Sequence, residues 1–293
     1  MPKYIAAVSG GPDSMALLHM YRKQIIAVCH VNYQKRENAN RDMLIVEQFC
    51  QQENIPIEKL IVTTEKYTYY YQKYKNFQNI ARKIRYDFFI ENATKYQVNT
   101  VLMGHNKDDC LETAIFQIKR KSKSLYLGIE SKGKYQNLNI YRPLLNKWKN
   151  ELLVYCEMNH IPYGIDETNT SDIYERNRIR KALARLSLSE KENEWKRIQK
   201  FNKEHKTAFL EVRKKYTIWE LHSFNIDFYH SLPNWMHEQI IYLFLTKNNI
   251  NKISSNKIKL IDQFLSSNKS KTELRLGHNN LLLKIDKILI LKR

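Results

Sequence analysis

From residue 4 to about residue 119, short and nearly continuous apolar runs alternate with stretches of helical length, and that alternation leaves few folds open. The runs are "YIAAVS", "IIAVCHVNY", "IEKLIV" and "TVLMG". Between and after them lie "DSMALLHMYRK", "RDMLIVEQFCQQENI", "NFQNIARKIRYDFFIENATKY" and "DDCLETAIFQIKR". A strand that is apolar at almost every position is one covered on both faces, as in a parallel sheet. Strands separated by helices of this length build βαβ units, so the pattern predicts an α/β fold with a doubly wound parallel sheet. In such sheets a ligand sits beyond the carboxyl ends of the strands. Ser9-Gly10-Gly11, His30-Val31-Asn32 and Gly104-His105 all fall at those ends.

The pattern changes after "LNIYRPLL" and the helical "KWKNELLVYCEMNHI". A polar stretch, "DETNTSDIYERNRIRK", leads into one long predicted helix. Its apolar face is formed by Trp195, Ile198, Phe201, His205, Phe209, Val212 and Tyr216. The expected division is a catalytic domain over residues 1–200, a helical connector up to about residue 216, and a smaller α+β C-terminal domain over 217–293. That last part holds two helical patterns, "PNWMHEQIIYLFLTKN" and "SSNKIKLIDQFLSS". It ends in two or three short strands with a turn at Gly277-His278-Asn279-Asn280. Within the first part, "KYTYYYQKYK" interleaves Tyr67, Tyr69, Tyr70, Tyr71 and Tyr74 with lysines and reads as a surface loop. Stacking of unpaired bases on these rings is the functional alternative.

Lys and Arg number 49 against 30 Asp and Glu, a net charge of +19. An excess of that size points to a polyanion such as nucleic acid; lysine-rich codon usage is the plainer source. No apolar stretch approaches the roughly 20 residues of a membrane span. Asp13 interrupts the first apolar run, and no cleavage-type segment follows, so no secretory signal is expected. The four cysteines, Cys29, Cys50, Cys110 and Cys156, are far apart without a C-x-x-C pair. That suits a reducing cytoplasm and argues against zinc, an iron–sulfur cluster or a disulfide framework.

Glycine is scarce, 7 in 293 residues, yet Gly10 and Gly11 are adjacent in "SGGPDS". A strand, a glycine turn and a helix start place backbone N–H groups against an anion. The phosphate loop with Gly-Lys-Ser/Thr is excluded because Pro12 follows Gly11, and the G-x-G-x-x-G fingerprint lacks its third glycine. A wide anion such as pyrophosphate fits the remaining pattern, with Asp13 placed to organise Mg²⁺ between phosphate oxygens. A helix cap with a tight turn fits it equally well.

S-G-G-x-D-S after a first strand resembles the pyrophosphate loop of the N-type ATP pyrophosphatase (PP-loop) superfamily. Four further blocks, in order, resemble the tRNA(Ile)-lysidine synthases: "HVNYQKRENANRD", "ARKIRYDFF", "GHNKDDCLET", and "YRPLL" with "RNRIR". The resemblance spans about residues 4–185. Asn106, Cys110, Tyr33 and Ala39 depart from the family pattern, and the usual glycine-rich segment is the basic "QIKRKSKSLYLGI".

The resemblance implies adenylation of the wobble cytidine of tRNA(Ile) with a CAU anticodon, then attack by free L-lysine with release of AMP. It implies ATP binding by Ser9, Gly10, Gly11, Pro12, Asp13, Ser14, His30, Asn32 and Gly104, and Mg²⁺ at Asp13. It implies catalytic roles for Asp13, Arg82, Arg85, Asp109 and Glu112, with lysine or metal held by Asp108, Asp109 and Glu112. Each demand has a matching residue type. Charge that grows on pyrophosphate needs donors and cations, and an amine that becomes a nucleophile needs a carboxylate to take its proton. Asp108 and Asp109 also suit plain helix capping, and Arg82 and Arg85 plain salt bridging. Lys119, Arg120 and Lys121, and Arg176, Arg178, Arg180 and Lys181, are the expected tRNA phosphate contacts. The C-terminal domain is expected to contact tRNA as well, and the sequence leaves monomer and homodimer open. A related thiolase would need paired reactive cysteines. A small-molecule amidating synthetase would need an ammonia route. An RNA-binding module with a vestigial nucleotide loop would not need its acids intact.

Overall fold

The computed structural model describes residues 2–34, 38–74, 77–165, 175–248, 250, 253–267, 272–276 and 280–292. Residues 35–37 of the "HVNYQKRENANRD" block, 166–174 of the polar stretch and 277–279 of the expected C-terminal turn lie outside them.

In chain order the elements are β1 (Tyr4–Ala7), α1 (Pro12–Tyr21), β2 (Ile25–Asn32), α2 (Ala39–Gln52), β3 (Ile57–Ile61), α3 (Thr64–Tyr74), α4 (Phe77–Lys95), β4 (Thr100–Met103), α5 (Lys107–Lys119), β5 (Lys132–Tyr135), β6 (Leu138–Tyr141) and α6 (Lys149–Met158). There follow α7 (Glu175–Ala184), α8 (Leu188–Glu204), α9 (Lys206–Leu221), α10 (Ile226–His230), α11 (Asn234–Lys247), α12 (Ser255–Ser266), β7 (Thr272–Arg275), β8 (Leu281–Ile285) and β9 (Ile288–Lys292).

Six strands form one sheet in the order β3-β2-β1-β4-β6-β5. All neighbours are parallel except β5 with β6. The order reverses between β1 and β4, the place where such sheets open a crevice for ligands. Successive residues explain why these strands are apolar throughout. Ile5, Ala27, Cys29, Val101 and Met103 pack on one face with Tyr86 and Phe89 of α4. Ala6, Val28 and Leu102, one residue out of phase, pack on the other with α1, α2 and α6. The expected doubly wound α/β architecture is the observed one.

Three local expectations change. The tyrosine-rich segment is helix α3, not a loop, because Tyr67 and Tyr70 at i, i+3 join the apolar contacts of Val62, Ile80 and Ile84. The Tyr70 hydroxyl also donates to Asp87 at 3.0 Å. The single long helix is two, α8 and α9. His205 between them sits at φ −94°, ψ 3°, and its Nδ1 bonds the Phe201 carbonyl at 2.9 Å while the rings stack at 4.0 Å. Strand β5 was not foreseen, since "KGKY" carries no apolar alternation; it is held by antiparallel pairing with β6.

The chain divides into two compact units, residues 1–111 with 129–181, and 112–128 with 182–293. The second has its own core of Val212, Tyr216, Trp219, Tyr229, Met236, Ile240, Phe244 and Ile261, closed by the antiparallel sheet β7-β8-β9. Among the described residues no helix is long and apolar enough to cross a membrane.

Candidate active site

The loop between β1 and α1 is shaped by Gly10, Ser9 and Ser14. Gly10 has φ +91°, and a Cβ there would stand 2.7 Å from the Asp42 carbonyl oxygen. Any side chain would therefore meet both strain and a backbone clash. Ser14 is buried; its hydroxyl donates to the Gly11 carbonyl at 2.8 Å and accepts the Ser9 N–H at 3.2 Å. Gly11 is the N-cap of α1 without a side-chain cap bond, and Pro12 is the first helical residue. The loop thus presents an uncapped helix start, where an anion is favoured.

Asp13, in that first turn, is half-buried. Its carboxyl is raised from 3.8 to about 6, first by burial, then by repulsion from Asp109; Lys149 and a hydrogen bond from Asn106 oppose the rise. Its Oδ1 is buried without a hydrogen-bond partner. Gly104 lets the end of β4 approach: a Cβ would lie 3.0 Å from the Asp13 carbonyl oxygen.

The start of α5 holds the acids. Asn106 accepts the Asp109 N–H at 3.0 Å through Oδ1, and the Asp109 carboxylate accepts the Asn106 N–H at 3.0 Å, a reciprocal cap. Asn106 therefore links Asp109 to Asp13, a concrete role for one departure from the family pattern. Asp108 accepts the Lys149 N–H at 2.9 Å at the start of α6. Glu112 is buried on α5, three residues beyond Asp109 and so on its face. Cys110, another departure, receives the Ile129 N–H at 3.2 Å.

At the end of β2, His30 and Asn32 are buried. His30 Nδ1 donates to the Val8 carbonyl at 2.9 Å, which leaves Nε2 as the acceptor, and burial lowers its pKa. Asn32 is engaged on both sides, donating to Asn40 at 2.9 Å and accepting the Gln34 N–H at 2.8 Å. It holds the β2–α2 turn. Tyr33 donates to the Ala81 carbonyl at 2.7 Å and anchors α4.

Helix α4 supplies Arg82 and Arg85. Arg82 lies over the Tyr86 ring at 4.7 Å, and Arg85 keeps a buried Nε without a partner. Both act on His105, which burial first, then Arg142, Arg85, Arg82 and Arg176, push down to about 3. His105 is thus neutral, held among four guanidinium groups, and its Nδ1 is also buried and unpaired.

The expected RNA contacts are surface residues. Lys119, Arg120 and Lys121 are exposed at the end of α5, with Arg120 over Phe116 at 4.0 Å. On α7, Arg176, Arg178 and Arg180 are exposed and Lys181 half-buried, while Ile179 and Leu183 bury the opposite face. Two residues of the site, Arg142 and Asp42, were not singled out from sequence, and His105 was placed at a strand end without a role. Arg142 and His105 stand in the quoted "YRPLL" and "GHNKDDCLET" blocks. Asp42, closing "HVNYQKRENANRD", lies against Gly10 and Gly164, whose backbones join through a 2.8 Å bond from Gly164 N–H to the Gly10 carbonyl.

A parallel sheet, a glycine loop with an open helix start at its reversal point, and acids at the next strand end define a nucleotide-binding domain of the PP-loop class. The PP-loop domain family model matches residues 1–187. The tRNA(Ile)-lysidine synthase of Ureaplasma parvum is 41% identical over 284 residues, covering 97% of this chain and 85% of that protein. The enzyme of the same description from Mycoplasma pneumoniae is 38% identical, covering 90% of each chain. Among solved structures, the U34-tRNA thiolase NcsA from Methanococcus maripaludis superposes with a TM-score of 0.56 at 17% identity, over 70% of this chain and 73% of that one, a likeness of fold. The chain belongs to the tRNA(Ile)-lysidine synthase family. It is an ATP-using ligase of tRNA processing.

Proposed function

We propose that this protein joins free L-lysine to C2 of the wobble cytidine of tRNA(Ile) with a CAU anticodon, in the cytoplasm, releasing AMP and pyrophosphate. The observation that carries the reading is two sets of charges around the carboxyl ends of β1 and β4: Asp109 and Asp108, with Lys149, act on Asp13, and Arg142, Arg85, Arg82 and Arg176 act on His105. Ligation by way of an adenylate needs both. Arginines meet the phosphates, and acids meet the amine.

In the first step the cytidine O2 attacks the α-phosphorus of ATP, and pyrophosphate leaves with the electron pair of the broken P–O bond. The N–H groups of the 9–14 loop and the Ser9 and Ser14 hydroxyls receive pyrophosphate oxygens, with His30, Asn32 and Gly104 walling the nucleotide. Arg82 and Arg85 face the charge that grows on phosphate. The unpaired Asp13 Oδ1, crowded by Asp109, would hold a divalent cation. When bound there, Mg²⁺ neutralises pyrophosphate charge. In the second step Asp109 and Glu112, with Asp108 beside them, hold the lysine ammonium and take one proton. The free amine adds to C2, and the C–O bond to AMP breaks. Lys119, Arg120, Lys121, Arg176, Arg178, Arg180 and Lys181 bind tRNA phosphates. Residues 1–200 carry the chemistry, and 217–293 contact the tRNA outside the reacting base.

A thiolase reading is disfavoured by the cysteines. All four are buried, and burial raises the thiols of Cys29 and Cys50 to about 12 and Cys156 to about 11. The test is incubation with ATP, labelled lysine and tRNA(Ile) bearing CAU, with label recovered in the RNA. Pyrophosphate release without label in the RNA would sink the reading.

A further inference from the structure

The first residue after β6, Arg142, is fixed more firmly than its neighbours require. Its backbone N–H donates to the Ser131 carbonyl at 2.8 Å, and one terminal nitrogen donates to the Glu130 carbonyl at 2.9 Å. Gly133 on β5 makes the room: a Cβ there would stand 3.3 Å from that guanidinium. The unexpected strand β5 is therefore the wall against which Arg142 is set. Despite this anchoring, its Nε is buried with no hydrogen-bond partner. A buried guanidinium donor left unmade costs free energy unless a ligand completes it.

Two more unpaired nitrogens share the surroundings, Nε of Arg85 and Nδ1 of His105. The charged groups that bear on His105 are Arg142, Arg85, Arg82 and Arg176. Tyr86, which hydrogen-bonds Arg142, and Glu130 favour its charge while Arg82 repels it, so among these groups cations outnumber the one carboxylate. Guanidinium forks suit phosphate oxygens bidentately. The place also matters: β6 lies beyond β4, on the side of β1 away from His30 and Asn32 of β2.

We infer that Arg142 is a phosphate-binding residue, which with Arg85 grips the phosphoryl oxygens of a substrate phosphate on the β6 side of the loop-bearing strand. The inference rests on reading this edge as the nucleotide and RNA site. Phosphoryl oxygens come here from two sources, the α-phosphate of the nucleotide and the backbone flanking the reacting cytidine.

Full-length Arg142→Gln and Arg142→Lys proteins separate them. Binding of α,β-methylene-ATP is measured by calorimetry, and binding of a tRNA transcript with a CAU anticodon by filter retention. Arg142→Gln is expected to weaken at least one ligand by about 10- to 100-fold, as loss of a charged hydrogen-bonding partner implies. Loss in the nucleotide arm assigns the α-phosphate. Loss in the RNA arm, with a shallower salt dependence, assigns the backbone. Arg142→Lys, which keeps the charge and loses the fork, is expected to recover only part of the binding. Phenylglyoxal modification of Arg142 in the unmodified protein, read by mass spectrometry, is expected to be blocked by the same ligand, and this measurement needs no variant to fold. Wild-type affinity for both ligands in a folded Arg142→Gln protein, or labelling of Arg142 that neither ligand blocks, overturns the inference. Neither readout involves lysine transfer, so a protein that binds through Arg142 yet transfers no lysine would fail the function reading alone.

Discussion

The carboxyl edge of the six-stranded sheet and the core of the C-terminal unit bury polar groups in opposite ways. At the edge, Asp13 Oδ1, Arg85 Nε, His105 Nδ1 and Arg142 Nε have no partner. In the C-terminal unit, among the described residues, the Tyr216 hydroxyl alone stands in that condition, and its neighbours spend their polar groups on one another. The Tyr229 hydroxyl donates to Asp262 at 2.5 Å, His237 meets the same carboxylate at 3.3 Å, and Trp219 Nε1 donates to the Asn225 carbonyl at 2.8 Å. Lys284, buried, points its ammonium at the carbonyls of Phe264 and Ser267. Unmade hydrogen bonds destabilise a fold, so where they gather the structure is waiting for a ligand, acceptors for the arginines and a cation or donor for Asp13; where they are made, it is holding itself together.

The sharpest way to break this contrast is Asp13→Asn. Ligation is expected to fall by about 10²- to 10⁴-fold, as for loss of a charged catalytic group. Its stability should move the other way. The folded state holds the Asp13 proton up to about pH 6 rather than 3.8, so ionising it as pH rises costs stability, at most about 3 kcal/mol. The Tm of Asp13→Asn should therefore exceed that of the unaltered protein by a margin that widens from pH 4 to pH 7 in thermal melts. The same group should set an acid limb near pH 6 in kcat/KM for adenylation of the ligand-free enzyme.

Arg85→Ala comes next. It should fold normally and lose about 100-fold in pyrophosphate release, since the donor removed has no structural partner at Nε. In the C-terminal unit Tyr229→Phe should do the reverse, lowering stability by about 1–2 kcal/mol in urea unfolding with kcat unchanged. A Tyr229→Phe protein that melts normally but ligates poorly would erase the distinction between the regions. The smallest effect is expected at Arg178, exposed on α7. Arg178→Ala should weaken tRNA binding a few-fold and reduce the salt slope by about 0.9, whatever the RNA sequence.

Much of this was legible because strands covered on both faces, such as "IIAVCHVNY", have few alternatives, and because a glycine pair in a glycine-poor chain must answer a local need. What escaped depended on particular partners that no periodicity announces. Tyr67 and Tyr70 form a helix face only because Ile80 and Ile84 receive them. Strand β5 exists only as the partner of β6. The interruption at His205 comes from a ring stacked on Phe201, with neither proline nor glycine to announce it. In the site, the acids stood out by spacing on α5, whereas Arg142 and Asp42 matter through glycines on other segments, Gly133 on the neighbouring strand and Gly164 far along the chain.

The buried thiols have a practical consequence. Cys29, Cys50, Cys110 and Cys156 are each enclosed, and burial raises every one of them. The folded enzyme should be silent toward maleimides and slow to be oxidised. A single cysteine introduced at an exposed position of α7 would then be the sole reactive handle, ready for a fluorophore or spin label that reports tRNA arrival without first stripping the natural thiols.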